Sequence, residues 1–314
     1  MKAFIMKLCL LSSLVAAVIA CIWLSPGVYT TEYAVAINKL DLLKKSMPPR
    51  IIIIGGSNVL SIKGDMIEKA LPLRVVNLGM WYGINYKYYL DEIKPYLKPG
   101  DIVVFIIEYH AYSANNNNSI NHESEQIIFM ASPMKWLYRY AVEGRLGDGI
   151  KAFVEVTQQR TKTALQNIRS GYWSKLGQSG LQDYYKAYNE RGELRLQWPV
   201  KRPLRIPVIK FKDISRNNWS FLNDFYVYCE RNKVRTFISF SPWHDQSYYQ
   251  QRNDILSIYN WLKEDIKLQI LGKPVDFIYP EQLFLDASAH INPAGEKMRT
   301  AKLIVLLKQT LYRK

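Results

Sequence analysis

The sequence predicts an α/β fold, a parallel sheet layered between helices, with a helical insertion and a hydrophobic N-terminal segment. Three observations carry this. Apolar, largely β-branched runs recur at Arg50–Ile54, Asp101–Ile107 and Val234–Phe240. Such runs have the character of strands buried on both faces, as in parallel sheets. Each is followed by a polar turn and then a stretch of helical pattern, and that alternation argues for helices on both faces of the sheet. The third observation is the apolar stretch Leu8–Leu24, too long for an ordinary strand.

Taken in order, Lys2 and Lys7 flank that stretch, and Phe4, Ile5 and Met6 extend it to near the length needed to span a bilayer. No further Lys or Arg occurs until Lys39. A positive N-terminal flank predicts a single-pass anchor in the cytoplasmic membrane, with the N-terminus inside and the body outside. Three alternatives remain: a cleaved, secreted form; a lipoprotein, because Val18-Ile19-Ala20-Cys21 resembles a lipidation box ending at Cys21; and a core helix of a cytosolic protein. The anchor or signal segment is assigned to residues 1–27 and a helical spacer to 28–49, ending at Pro48-Pro49.

The first part of the α/β domain is expected over residues 50–110. Strand one ends at Gly55-Gly56-Ser57-Asn58, residues 59–70 are helical, and Arg74–Gly79 is a second short strand. Trp81–Tyr96 is amphipathic and helical, closed by Lys98-Pro99-Gly100, and the third strand ends in Glu108-Tyr109-His110. Residues 111–212 break the pattern and form the insertion. It holds the Asn115–Asn118 run, a helical stretch rich in aromatic and basic residues, and an extended stretch with Pro199, Pro203 and Pro207. The sheet resumes in residues 213–314: a helix over 216–232, the strand Val234–Phe240, a helix over 247–265, and a last strand at Val275–Ile278. Asn292-Pro293 has the signature of a helix start, with Asn as N-cap and Pro in the first turn.

Chemistry is expected beyond the carboxyl ends of the strands, where open parallel sheets bind ligands. Ser57 follows strand one at a glycine turn, next to helix N–H groups that suit an oxyanion. The bland alternative is an N-cap serine. His290, four residues after Asp286, offers a general base with a carboxylate to orient it, or else is a surface loop. Asn58, Glu108 and His110 are auxiliary candidates at strand ends, and His244 is an alternative base.

Together, the glycine-turn Ser57, Asn77-x-Gly79 and Asp286-x-x-x-His290 resemble the SGNH (GDSL-like) hydrolase family. The resemblance covers roughly residues 50–110 and 216–314. It implies a three-layer, flavodoxin-like sheet. It implies Ser57 as nucleophile, His290 as base, Asp286 as orienting acid, and an oxyanion hole from the N–H groups of Ser57 and Gly79. Two features depart from the family pattern. Glu108-Tyr109-His110 stands where an oxyanion asparagine is usual, and three residues rather than two separate Asp286 from His290. The overall plan is similar to the membrane-anchored branch. That branch includes the D-alanyl transfer protein of teichoic acid modification and partners of membrane-bound O-acyltransferases acting on exopolysaccharide. The resemblance thus implies a serine esterase or O-acyltransferase on a cell-envelope polymer, with the membrane, a glycan and an O-acyltransferase as partners.

Charge and cysteines add limits. Lys and Arg outnumber Asp and Glu by 42 to 27, a net charge of +15. The charge is spread, without a nucleic-acid-binding motif, so a solubilising surface, or attraction to anionic lipid or an acidic glycopolymer, fits better than nucleic acid. Cys9 and Cys21 lie in the apolar segment and Cys229 stands alone in the body, so no disulfide is expected there. No Cys/His spacing suggests a metal, and the implied chemistry needs no cofactor.

Overall fold

The structure, a computed structural model, describes residues 2–24, 31–80, 86–112, 133–169, 188–194, 208–214 and 216–312. It divides into a helical unit, residues 1–34 with 125–185, and an α/β unit, residues 35–124 with 186–314.

In the helical unit, α1 (Lys2–Leu24) is a helix long and apolar enough over Phe4–Ile22 to cross a membrane. Two further helices, α5 (Pro133–Val142) and α6 (Leu146–Arg169), form a hairpin turned at Gly144, whose φ of 71° suits glycine. Its interior holds Trp136, Tyr140, Ala152 and Val156.

The α/β unit is built on five parallel strands in the order β2-β1-β3-β4-β6. These are β1 (Arg50–Gly55), β2 (Arg74–Asn77), β3 (Ile102–Ile107), β4 (Arg235–Phe240) and the edge strand β6 (Gln269–Ile270). Every residue of β1 and β3 is buried, which accounts for their unbroken apolar sequences. Successive side chains serve opposite faces. Ile51, Ile53, Val104 and Ile106 pack with Ile67 of α3 (Gly64–Ala70) and with Leu303 and Leu307 of α10 (Pro293–Leu311). Phe105 points the other way, edge-on to Phe225 of α7 (Phe221–Arg231). Each buried aliphatic side chain contributes about 1.5–3 kcal/mol. The helices α2 (Thr31–Lys45), α4 (Tyr86–Ile93), α8 (Asp245–Gln250) and α9 (Arg252–Asp265) complete the described helical set.

At the amino ends of β1 and β3, a buried ion pair fastens the sheet. Arg50 Nη2 lies 2.6 Å from Asp101 Oδ2, and the Arg50 guanidinium also donates to the carbonyls of Leu43 and Tyr96. The carboxyl ends, at the opposite edge, are left for the site. The strand order reverses between β1 and β3, so the crevice for ligands opens there.

Several boundaries differ from expectation. Val275–Ile278 is not a strand of the main sheet: Pro274–Phe277 is a 3₁₀ turn, and Gly272 at φ 79° bends the chain before it. The fifth strand is instead the short, half-exposed β6, which carries too little apolar pattern to show in sequence. Ile278-Tyr279 (β7) pairs with Trp243-His244 (β5) in a separate two-stranded sheet. The helix expected over 59–70 is a 3₁₀ turn, Ser57–Val59, followed by α3. The helix expected over 247–265 begins at Asp245 and breaks at Gln251. The second strand stops at Asn77. Residues 188–194, inside the expected insertion, belong to the α/β unit, where Glu193 accepts the Gly64 N–H. Residues 81–85 at the start of the helix expected over Trp81–Tyr96, the Asn115–Asn118 run and Pro199–Pro207 lie outside the described residues.

Candidate active site

Ser57 is the first residue of the 3₁₀ turn that follows β1. Gly56 before it leaves room for Glu108: a Cβ there would come within 2.5 Å of Glu108 Oε1 and would displace that carboxylate. Asn58 fixes the turn. Its side-chain amide donates to Ile106 O and to Ser241 Oγ, each at 3.1 Å, so the turn is tied to the ends of β3 and β4.

Asp286 and His290 come from a loop closed on itself. Phe284 and Ile291 form an antiparallel bridge, the Leu285 N–H donates to His290 O, and the His290 N–H donates to Ala287 O. The loop ends at Asn292, whose side chain accepts the N–H groups of Ala294 and Gly295 and so caps α10 as the sequence predicts. The result is a continuous chain of hydrogen bonds. Ser57 Oγ lies 2.6 Å from His290 Nε2, and His290 Nδ1 lies 2.8 Å from Asp286 Oδ1. The nucleophile–base–carboxylate order is the one that activates a serine.

On its other side, Ser57 meets Glu108. The hydroxyl donates to Glu108 Oε1 at 3.0 Å, and the same oxygen accepts the Asn58 N–H at 3.0 Å. Glu108 Oε2 lies 3.1 Å from His110 Nε2. The Glu108 side chain is only 2% exposed. Burial holds the His110 imidazole below the usual histidine range; Glu108 opposes that shift and the nearby His290 adds to it. Tyr86 is pushed well above the usual phenol range, first by burial and then by Glu108.

Gly79 and His244 stand differently from expectation. The Gly79 N–H is engaged, donating to Asn77 Oδ1 at 2.8 Å, while Asn77 Nδ2 donates to Val59 O. His244 is buried and acts as the N-cap of α8, its Nδ1 accepting the Ser247 N–H. Its Nε2 faces Asp245 and Glu281 rather than Ser57. Ser241 was not anticipated, although a serine directly after a buried strand was the available signal. Glu193 carried no sequence signal at all. A cavity of about 420 Å³ opens beside Ser57 and His290, with Lys63, Asp65, Glu193 and Glu296 among its polar walls. Among the described residues no cluster of three metal-ligating side chains occurs.

Fold and site together define a class. The chain is an α/β protein whose parallel sheet has the 2-1-3-4-5 order of flavodoxin-like folds, with a Ser–His–Asp arrangement at the switch point, consistent with an SGNH-like fold. A solved structure, protein YxiM from Bacillus subtilis, is similar at a TM-score of 0.41 and 11% identity, over 84% of this chain and 57% of that one. This chain therefore spans little more than half the length of that protein. No protein-family model and no curated protein matches the sequence.

Proposed function

We propose that the protein is a serine-dependent O-acyl esterase or transferase, held outside the cytoplasm by α1 and acting on a cell-envelope polysaccharide or related polymer. The observation that carries this is the hydrogen-bonded chain Ser57–His290–Asp286 at 2.6 and 2.8 Å. Ser57 Oγ attacks an acyl carbonyl as His290 Nε2 takes its proton. The proton then passes to the departing alkoxide, leaving an acyl-serine. A second hydroxyl, of water or a sugar, gives its proton to His290 and attacks the ester, and His290 returns that proton to Ser57 Oγ as the acyl–oxygen bond breaks. Asp286 holds the imidazole in the required tautomer. The Ser57 N–H, with the Gly79 N–H once turned from Asn77, supplies the oxyanion donors. Hydrolysis and transfer differ only in the acceptor. The cavity beside the pair has a mixed lining, and Lys63, Asp65, Glu193 and Glu296 on its walls offer partners to a hydroxyl-rich acceptor.

The test is covalent labelling of the full chain in detergent with a fluorophosphonate. Labelling that disappears in Ser57→Ala and His290→Ala, with both variants folded by circular dichroism, supports the proposal. A folded wild type that stays unlabelled even on prolonged exposure to the probe overturns it. A second reading, a non-catalytic scaffold for such an acyltransferase, is favoured by one observation. A glutamate occupies the neighbourhood of the nucleophile where the resemblance calls for an asparagine amide donor.

A further inference from the structure

The sharpest departure at the site is the carboxylate placed directly on the nucleophile. Resting on Ser57 as nucleophile, we propose that Glu108 is a built-in brake: its charge holds Ser57 in a resting hydrogen bond and opposes the negative charge of the tetrahedral intermediate.

Two geometric facts carry this. First, Glu108 competes with His290 for the only proton on Ser57 Oγ, at 3.0 Å against 2.6 Å. A hydroxyl donating to Glu108 is not donating to its base. In that arrangement the 2.6 Å contact with His290 is filled by an imidazolium, which donates to Ser57 from Nε2 and to Asp286 from Nδ1 and so cannot accept the proton that attack releases. Second, in a tetrahedral adduct the oxyanion sits about 2.3 Å from the attacking oxygen. It therefore lies no more than about 5.3 Å from Glu108 Oε1, given the 3.0 Å separation. A like charge at that distance slows formation of the adduct by at most on the order of a hundredfold at a protein-like dielectric, a part of which the imidazolium formed at His290 offsets. An oxyanion hole works by the opposite arrangement, with donors aimed at the developing charge.

Glu108 is also fixed where it stands. The Asn58 N–H holds Oε1, His110 Nε2 faces Oε2, and Gly56 keeps the space clear. Of the groups in direct contact with its carboxylate, the one able to neutralise its charge is His110, and burial works against the imidazolium. Tyr86, the other titratable group felt from a neighbouring helix, brings no positive charge. The site is thus built to rest with the brake on.

The test compares second-order fluorophosphonate labelling rates of the full chain in detergent for wild type, Glu108→Gln and Glu108→Asp. Thermal melting checks folding. Glu108→Gln keeps an oxygen for the Asn58 N–H and removes the charge, so labelling is expected to quicken by roughly tenfold to a hundredfold. Glu108→Asp keeps the charge and is expected to be no faster than wild type, a contrast that a purely structural role for Glu108 does not produce. If the glutamine variant misfolds, Glu108→Ala provides a second neutral comparison. A labelled wild type with an equal or slower glutamine variant overturns the brake and leaves the esterase reading standing. Silence in both overturns the two together.

Discussion

Two histidine–carboxylate pairs flank Ser57, and they are arranged in opposite order. On one side the sequence of contacts is Ser57–His290–Asp286, with the carboxylate behind the imidazole. On the other it is Ser57–Glu108–His110, with the carboxylate in front. The distances within the pairs are alike, 2.8 Å and 3.1 Å. Their surroundings are not: Asp286 is 26% exposed, whereas Glu108 is almost wholly buried. A carboxylate behind a histidine strengthens a base; a carboxylate against a serine stores negative charge where the reaction must create more. On the proposed mechanism the same two functional groups favour attack from one side and resist it from the other.

The largest expected effect breaks the first pair. Asp286→Asn keeps the shape but removes the charge that orients and supports the imidazolium. Hydrolysis of p-nitrophenyl acetate, or labelling by a fluorophosphonate, is expected to fall by about 10³–10⁴-fold. An equal loss from Glu108→Gln would show that both carboxylates serve the base, and the contrast between the pairs would disappear.

A third carboxylate shows what burial does when the partner is a permanent cation. Asp101 accepts from Arg50 Nε and Nη2 and from the N–H groups of Arg50 and Lys98. Its place is at the amino ends of β1 and β3, remote from the chemistry. Asp101→Asn leaves the guanidinium buried without its counter-charge, and breaking a buried pair costs about 3–5 kcal/mol. Urea unfolding is expected to show that loss, while labelling of the remaining folded protein stays within a few-fold of wild type. Loss of labelling out of proportion to folding would show that Asp101 reaches the site.

How much of this was legible follows from which contacts are local. The buried β1, β3 and β4 announce themselves because a strand covered on both faces needs an unbroken apolar sequence. The Asn292-Pro293 helix start is legible because capping is a matter of three adjacent residues. The edge strand β6 was not, since two half-exposed residues carry no pattern, and the apolar Val275–Ile278 drew the assignment instead. At the site, Ser57, Asp286 and His290 stood out by position, but nothing in the sequence shows that Glu108, 51 residues from Ser57, turns its carboxylate onto that hydroxyl. Whether a strand-end glutamate faces solvent or Ser57 depends on the β1–β3 register and on the room left at Gly56.

Burial alone, without a carboxylate in contact, can be read at Lys39. Its ammonium is fully enclosed and donates to the carbonyls of Asn77 and Gly192, and burial lowers it to about 7, with Glu193 opposing. The unfolded chain keeps that proton up to about 10.5, while the folded protein releases it near 7. The unfolded state therefore binds more protons between those values, and stability rises with pH across that window. The expected gain is on the order of a few kcal/mol. Lys39→Met removes the titrating group, so the melting temperature of the variant is expected to climb less from pH 7 to pH 9.5 than that of wild type. Parallel curves would show that the ammonium stays charged when folded, its two carbonyl bonds outweighing burial.

The smallest effect separates the supports of the two pairs. Glu108 stands at the end of a fully buried strand, whereas His290 hangs from a loop whose exit is fixed by the Asn292 cap. Asn292 also donates from Nδ2 to Gln282 O, tying the loop's two ends together. Asn292→Ala is expected to cost about 1 kcal/mol of stability. Because the cap lies two residues from His290, it should also loosen the 2.6 Å contact with Ser57 while leaving the 3.0 Å contact with Glu108 intact. Labelling is then expected to slow several-fold in Asn292→Ala, beyond what unfolding explains, and to recover in part when Glu108→Gln is added. A stability loss with an unchanged labelling rate would mean that the bridge between Phe284 and Ile291 positions His290 without the cap.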